Sequence, residues 1–588
     1  MRLDRAQLLY TPPSTPKVLL MPARTKWVMV ESPDDAEVAS LASEFGVAPM
    51  VAAIAMQRGF ADREAMASFF HPRLKDLGDP FSLPNMTAAI DRIIRAIDGR
   101  ETVLLYGDYD VDGVSSLALL RLLLEAYGLV PRTFLPQRSE EGYGLSREGL
   151  EKCLVVAPAP ALVIAADCGT NSKAEAEWLH DKGIDLIIID HHEPSPGGVA
   201  ECVAVVNPKL GESLHYLCTG GLIFKVAHAL LKQRPHPDFD LRQHLDLVAL
   251  ATVADIVPLV DENRIFVRRG LVEIDRTSKP GLIELKSIAG VSSPAGSHDI
   301  GFKLGPRLNA SGRLATAEAS LELLLTGDGN RARALAAELD RNNRDRQNLE
   351  QNTREEAEAQ ILTLTAEERA SGIVVGGRGW HTGVVGIVAS RIVKQFHRPT
   401  FVIGFDDSGM GKGSGRSVPG LSLIQAIAAC RDLLEGGGGH EMAAGLSIRE
   451  ENLIEFRRRF AAHMAAAAEN GELQPRLLID AELTFDDLTL ELLDSYELLR
   501  PFGNSNPQPV FMSRNIQVLT EPRVLKERHL KLRLAQKGVA RDAMYFNGVD
   551  QDLPRPPWDI AYTIDRNEFR GSVSLGISIQ AMRKAAGK

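Results

Sequence analysis

No stretch of this chain runs for about eighteen residues without a charge, so a transmembrane helix is not expected. The longest candidate, Leu245 to Val260, is interrupted by Asp246 and Asp255. The N-terminus has scattered Arg and Lys but lacks the apolar core of a signal peptide. Cysteine is scarce: Cys153, Cys168, Cys202, Cys218 and Cys430 form no C-x-x-C pair, and their number is odd. That usage excludes a disulfide frame and predicts free thiols in a reducing cytosol. No Gly-Lys is followed by Ser or Thr in the frame of a P-loop, so ATP is not implied. Internal repeats and low-complexity segments are also absent.

What is present is an ordinary globular composition, 44% hydrophobic and 24% charged, which places a chain of 588 residues among proteins of several domains. Length alone suggests roughly three to four. The formal net charge of −10 argues weakly against a nucleic-acid partner. An acidic metal site inflates such a count, however, and local basic patches decide binding more than the total does.

The chain is organised around VLLYGDYDVDG, Val103 to Gly113. An apolar run meets a turn carrying Asp108, Asp110 and Asp112, and an apolar helical segment follows from Val114. Three carboxylates within five residues repel one another unless a cation lies between them. D-x-D-x-D-G also opens an EF-hand loop, but the bidentate Glu required at its twelfth position is here Leu119. That excludes an EF-hand. An acidic cluster at the carboxyl end of a buried strand remains, where open α/β sheets place their ligands.

Residues 1 to about 40 are Pro-punctuated and weakly patterned, and Ala36 to Ile97 reads as helical. Strand-like runs at Val103–Tyr106, Arg132–Leu135, Leu162–Ala166, Leu186–Ile189 and Val203–Val206 then alternate with helical ones. Such alternation predicts a parallel, doubly wound α/β sheet with strands apolar on both faces. Arg331 to Thr365 has no Gly or Pro and is polar on most faces, which predicts a long helix bridging domains. A second α/β unit follows, with strands at Gly372–Gly376 and Thr400–Phe405 around a helix at Gly383–Phe396, then a glycine-rich tract. After Asn470 short strands predict a small β-barrel or sandwich: Leu477–Leu483, Val510–Met512, Asn515–Thr520, Leu530–Leu534, Ala543–Phe546 and Ser572–Ile577.

Other apolar segments also finish in acidic residues. Leu162–Ala166 leads to Asp167, Leu186–Ile189 leads to Asp190, His191 and His192, and Val248–Ala254 leads to Asp255. A single Asp in that place is ordinarily a helix cap. Several converging on one edge of a parallel sheet exceed what capping explains, and Asp with His suits Mn²⁺ or Mg²⁺ better than a thiolate zinc site. Arg138, Arg307 and Arg313 fall in loops near that edge, where Arg pairs with phosphate bidentately. Gly411–Ser417 and Gly436–His440 look like phosphate cradles. Arg523, Lys526, Arg528, His529, Lys531, Arg533, Lys537 and Arg541, with Tyr545 and Phe546, look like an OB-fold surface that tracks a backbone and stacks bases; a solvated basic strand is the plain alternative.

YGDYDVDG, AADCGTNS, IIDHHEP and ATVADIVPL together resemble the four motifs of the DHH phosphoesterase superfamily. The resemblance is fuller to its bacterial single-strand-specific exonucleases. It extends through LPQRSEEGYGLS, GPRLNASGRL, GWHTGVVGIVASRI, GKGSGRS, GGHEMAAG and PFGNSNPQPVF, in order, over nearly all the chain after about residue 40. One departure is Tyr106, where some relatives place a metal-binding histidine. The resemblance implies two ions, Mn²⁺ or Mg²⁺, with Asp110 on one, Asp112 and His191 on the other, Asp167 bridging and Asp255 completing the site. Asp108 is a further ligand or orients one. Asp190 fixes a histidine tautomer, and His192 lies against the scissile phosphate as electrophile or proton donor. Substrate contacts are implied at Arg138, Tyr143, Arg307, Asn309, Arg313, Ser414, Arg416 and His440, the last three in a DHH-associated domain.

The chemistry agrees, because phosphodiester hydrolysis needs a hydroxide at neutral pH and charge stabilisation, both supplied by two cations about 3.5–4 Å apart. The expectation is a cytoplasmic exonuclease acting on single-stranded DNA from the 5′ end, releasing nucleoside 5′-monophosphates in recombination and repair. Its expected partners are single-strand-binding protein and a RecQ-type helicase; the polarity rests on the resemblance alone. The expected parts are an N-terminal extension and helical region (1–98), a DHH domain (99–330), a connecting helix (331–366), a DHH-associated domain (367–470) and an OB-like domain (471–588). A small-nucleotide phosphodiesterase and a non-catalytic DNA-binding scaffold are the rivals.

Overall fold

The computed structural model describes residues 25–137, 144–314, 316–468, 473–551, 553–569 and 571–585. Arg138 and Tyr143 lie outside them. The chain divides into two units, 28–346 with 478–588, and 347–477 with the N-terminal residues up to 27.

In the larger unit the central sheet has five strands in the spatial order Arg132–Phe134, Val103–Gly107, Leu162–Ala166, Asp185–Ile189 and Ala204–Val206. All neighbours pair in parallel, as the apolar runs predicted. Numbered along the chain this is order 2-1-3-4-5. The strand order therefore reverses between the first and third strands, the crevice where doubly wound sheets bind ligands. One face packs on the helices Met86–Gly99, Val111–Ala126 and Thr219–Gln233, and the other on a smaller cluster holding Tyr106, Leu150 and Leu179. Leu245–Ala254 is a helix rather than a strand, so Asp255 ends a helix. A ten-residue run of mostly Leu, Val and Ala, buried on nearly every side, has no period that separates the two.

The C-terminal strands form a seven-stranded sheet in the order Ala481–Glu482, Phe511–Val518, Trp558–Phe569, Ser572–Lys584, Val539–Tyr545, His529–Gln536 and Arg523–Leu525. Phe511–Val518 also pairs with His529–Gln536, bringing the sheet round on itself. Val510–Met512 and Asn515–Thr520, two runs in the sequence, belong to one strand with an irregular register between Ser513 and Ile516 and a left-handed Asn515. Trp558–Phe569 was not anticipated, because its charged end Asp565-Arg566-Asn567-Glu568 hides the alternation. The first three helices, Asp35–Phe45, Pro49–Gln57 and Arg63–Phe70, share one core with this sheet: Val51, Phe69 and Phe70 lie with Tyr496, Phe511 and Tyr562. Distant sequence thus supplies both halves of that core.

The predicted long helix spans Gly329–Thr363, and the boundary between the units falls within it. The smaller unit has a mixed five-stranded sheet, Leu434–Gly439, Ala443–Arg449, Met410–Arg416, Thr400–Phe405 and Ile373–Arg378. The glycine-rich tracts read as cradles are therefore strands. In Met410–Arg416 the glycines make room for aromatic rings, since a Cβ at Gly415 would lie 2.5 Å from Phe401 and one at Gly411 2.5 Å from Phe405.

Candidate metal centre

The site is built where the first and third strands end. Asp110 caps the helix Val111–Ala126, its Oδ1 accepting from the backbone N–H of Asp112 (2.9 Å) and Gly113 (3.2 Å). Gly113 is obligatory, because a Cβ there would meet the Asp108 carbonyl at 2.4 Å. Asp112, 1% exposed, accepts from the backbone N–H of Thr219 (2.8 Å) and Gly220 (2.7 Å). Both belong to the first turn of the helix Thr219–Gln233, where free N–H groups and the helix dipole favour an anion. Gly220 is needed for that approach, a Cβ there lying 2.4 Å from Ala251 Cβ.

Asp167, 2% exposed, has a left-handed backbone at φ 67°, an uncommon conformation for a residue other than glycine. Its Oδ1 accepts from Thr219 Oγ1 at 2.9 Å. His191 Nε2 lies 3.6 Å from Asp167 Oδ1, 3.5 Å from Asp255 Oδ2 and 3.9 Å from Asp112 Oδ2. These separations are too long for hydrogen bonds. They suit donors sharing one ion, since two ligands each about 2.1 Å from a metal stand roughly 3–4 Å apart. Three overlapping groups could each hold a cation: Asp108, Asp110 and Asp167; Asp112, His191 and Asp255; Asp167, His191 and His192.

Burial first, and then mutual repulsion, pushes the carboxyls up: Asp112 to about 6, Asp255 to about 8, and Asp167 well above its ordinary value. Burial, then the neighbouring His192, lowers His191 to about 4, leaving its imidazole neutral with a free lone pair. Asp255 Oδ2 is buried without a hydrogen bond. Such a group is electrostatically incomplete, and a divalent cation reverses that balance. Of the nearby thiols, Cys168 Sγ faces the Ala166 carbonyl, while Cys218 Sγ lies between Thr252 Oγ1 and the Asp112 carboxylate, to which it donates as a buried, protonated thiol. The donors are oxygen and imidazole nitrogen only, a set that fits Mg²⁺ or Mn²⁺.

The histidine that Asp190 orients is His192, with Oδ1 2.6 Å from His192 Nδ1. Asp190 also accepts from the backbone N–H of Thr170, His191 and His192, and Asn207 Nδ2 donates to Thr170 Oγ1 and the His192 carbonyl. Burial alone would lower His192, but the Asp190 hydrogen bond and surrounding carboxylates raise it to about 9. Without a cation in the site it is therefore an imidazolium at neutral pH. Tyr106, by contrast, faces the smaller core and donates its hydroxyl to the Gly144 carbonyl.

Arg307, Asn309 and Arg313 lie in the helix Gly305–Leu314, not in loops. Its Gly, Pro, Asn and Ser are poor helix formers, but packing overrides propensity: Gly312 closes on the Tyr109 carbonyl, which a Cβ would meet at 2.6 Å. Asn309 Oδ1 accepts from Val111 N (3.0 Å), and Arg307 pairs with Asp340 (3.0 Å). Arg313 is half-buried. In the smaller unit Arg416 donates to Ser414 Oγ (3.0 Å), both beside Gly386 in the helix Thr382–Phe396, while His440 is exposed at a strand turn. On the C-terminal sheet Lys531 and Arg533 both pair with Asp542, Arg541 binds the Phe485 and Leu488 carbonyls, and Tyr545 is buried, leaving Phe546 as the exposed aromatic. The sequence reading missed Thr219, Gly220, Thr170 and Asn207. Thr-Gly-Gly opening an apolar helix and Val-Val-Asn closing an apolar strand were the available signals.

Models of three families match: the DHH family N-terminal domain over residues 102–252, the DHHA1 domain over 369–466 and the RecJ OB domain over 479–581. The chain is 35% identical over 535 residues to the single-stranded-DNA-specific exonuclease RecJ of Bacillus subtilis, covering 90% of this chain and 66% of that protein. It therefore spans just under two thirds of that relative's length. Against the RecJ of Haemophilus influenzae it is 34% identical, covering 86% of this chain and 92% of that one. The crystal structure of Thermus thermophilus RecJ in complex with Mn²⁺ superposes with a TM-score of 0.80 at 30% identity, covering 96% of this chain and 80% of that one. The same protein in complex with Mg²⁺ gives a TM-score of 0.75 at 29% identity, with 96% and 79% covered.

Proposed function

Because this chain belongs to the RecJ family of DHH phosphoesterases, we propose that it is a metal-dependent exonuclease of single-stranded DNA, acting in recombination and repair. It cuts from the 5′ end and releases nucleoside 5′-monophosphates. The observation that carries this proposal is the convergence of Asp108, Asp110, Asp112, Asp167, His191 and Asp255, all oxygen or nitrogen donors, at the point where the strand order reverses.

Asp108 and Asp110 would hold one Mn²⁺ or Mg²⁺ ion and Asp112, His191 and Asp255 the other, with Asp167 between them. When bound, two such ions generate a nucleophile from water at neutral pH and neutralise charge on the phosphate and leaving oxygens. His192, kept protonated through Nδ1 by Asp190, presents its Nε2–H to a phosphate oxygen and stabilises the negative charge that grows there. Thr219 and the backbone N–H groups of Thr219 and Gly220 hold Asp167 and Asp112 in place without titrating. Arg138, Tyr143, Arg307, Asn309, Arg313, Ser414, Arg416 and His440 contact the strand. Arg307 does so while paired with Asp340, and Arg416 beside Ser414 offers a guanidinium that suits phosphate.

Five parts make up the chain on this proposal: 1–98, 99–330, 331–366, 367–470 and 471–588. The last supplies single-strand affinity through its exposed basic residues and Phe546. Single-strand-binding protein and a RecQ-type helicase deliver the strand. A cytosolic setting is supported by five cysteines that remain free.

One Mn²⁺ time course tests the reaction on a 5′-labelled single strand, a 3′-labelled single strand, a blunt duplex and a cyclic dinucleotide. Labelled mononucleotide should appear at once from the first and a shrinking ladder from the second, with little product from the others. Mononucleotide appearing first from the 3′-labelled strand would reverse the polarity. Binding without any product would leave only a scaffold.

A further inference from the structure

Asp255 ends the helix Leu245–Ala254 in ordinary backbone geometry, φ −78° and ψ −4°. The next residue, Ile256, does not: its φ is 58°. A β-branched side chain in the left-handed region is strained, and such a residue persists only where its surroundings hold it. Ile256 is 70% exposed, so packing of its own side chain does not do so.

The holding groups come from the other end of the chain. Asn504 Nδ2 donates to the Ile256 carbonyl at 2.7 Å, and the Leu259 N–H donates to the Asn504 carbonyl at 2.9 Å. One residue therefore grips the turn on both sides. Its neighbour Gly503 permits the approach, since a Cβ there would lie 2.6 Å from Leu259 Cδ1. The loop Pro501–Pro507 is itself tied down. Asn506 Nδ2 donates to the Leu499 (2.8 Å) and Pro501 (2.7 Å) carbonyls, and Arg58 binds Asn506 Oδ1 and the Pro507 carbonyl. The buried Arg264 donates to the carbonyls of Leu498 (3.0 Å) and Arg500 (2.8 Å). Ser297 Oγ, from the catalytic part, donates to the Phe502 carbonyl.

We propose that Asn504 is a positioning residue for the metal ligand Asp255, holding the strained Ile256 turn so that the carboxylate stays in reach of His191. The inference rests on the metal-centre assignment above. It makes the C-terminal region part of the construction of the site as well as a source of strand affinity. Without the clamp, Ile256 relaxes out of the left-handed region, and Asp255, one peptide away, moves with it. Groups that orient metal ligands typically govern about 10–100-fold in metal affinity or activity.

The test is Mn²⁺ titration by calorimetry together with steady-state cleavage of a single strand, on the full chain. Asn504→Ala and Asn504→Asp both remove the donor from an exposed side chain, so melting temperatures should stay near that of the wild type. The Mn²⁺ Kd should rise about tenfold, and kcat at saturating Mn²⁺ should fall to a similar extent, with KM for DNA unchanged. Asn tolerates the left-handed region, so Ile256→Asn in the Asn504→Ala background should restore the Mn²⁺ Kd to within a few-fold of Ile256→Asn alone. Wild-type Kd and kcat in both Asn504 variants would overturn the proposal. A raised KM with unchanged Mn²⁺ binding would overturn it too, by making Asn504 a DNA contact. Failure of Ile256→Asn to rescue would refute the strain basis. A wild-type chain that binds no Mn²⁺ would instead refute the metal centre, and the inference with it.

Discussion

Replacing Asp255 by Asn should stabilise the metal-free protein at alkaline pH while abolishing cleavage. A free aspartate titrates near 4; in the fold, burial and then Asp112 and Asp110 push Asp255 up to about 8. Between those pH values the folded protein holds a proton that the unfolded chain has released, so stability falls as pH rises. A gap of about four units corresponds to roughly 5 kcal/mol at full effect. The side chain is 22% exposed, and counter-ions and water reaching it reduce this to about 2–3 kcal/mol. For a unit of this size that is roughly 3 °C in melting temperature. The assay is thermal melting in EDTA at pH 5 and pH 8.5, followed by repetition with Mn²⁺. Wild type and Asp255→Asn should differ by less than about 1 °C at pH 5, where only about a quarter of the effect has developed, and the variant should melt about 3 °C higher at pH 8.5. Mn²⁺ should then raise the wild type by mass action and the variant far less. A wild-type melting temperature in EDTA that does not fall between pH 5 and 8.5, or a variant that melts lower at pH 8.5, would refute the electrostatic account of the cluster.

Two further outcomes follow from the same geometry. Thr219→Val keeps the shape of a fully buried side chain and the backbone N–H to Asp112 but removes the donor to Asp167; a charge-assisted bond of about 1.5–3 kcal/mol predicts a 10- to 100-fold weaker Mn²⁺ half-saturation, restored by Thr219→Ser, and values within twofold of wild type would count against it. Deleting residues 478–588 strips Tyr496, Phe511 and Tyr562 from Val51, Phe69 and Phe70; hydrogen exchange should then show the helices between Asp35 and Phe70 unprotected while the five-stranded sheet stays protected, and unchanged protection of those helices would show that their core stands alone.

The sequence by itself was sufficient for what is local or periodic. Both-sided burial makes a parallel strand apolar along nearly its whole length, so four strands of the central sheet stood out, as did the acidic residues that close three of them; the edge strand Arg132–Phe134 is half-buried. The 35-residue helix Gly329–Thr363 was legible for the same kind of reason, an unbroken absence of Gly and Pro from Arg331 onward. Because parallel strands bring their carboxyl ends to one edge, the sequence alone groups Asp108, Asp110, Asp112, Asp167 and His191. Other features depended on groups with no sequence relation to each other. Thr219 and Gly220 matter because a helix N-terminus happens to face Asp112 and Asp167, and nothing in Thr-Gly-Gly announces which carboxylate it will meet. Glycines in Met410–Arg416 read as loop-formers until the rings of Phe401 and Phe405 were seen to need the space. Asp255 sits on a helix, with its turn held by Asn504 some 250 positions away. Pairing over such separations is decided by which surfaces the folded chain brings together, and that choice belongs to tertiary packing rather than to any local pattern of residues.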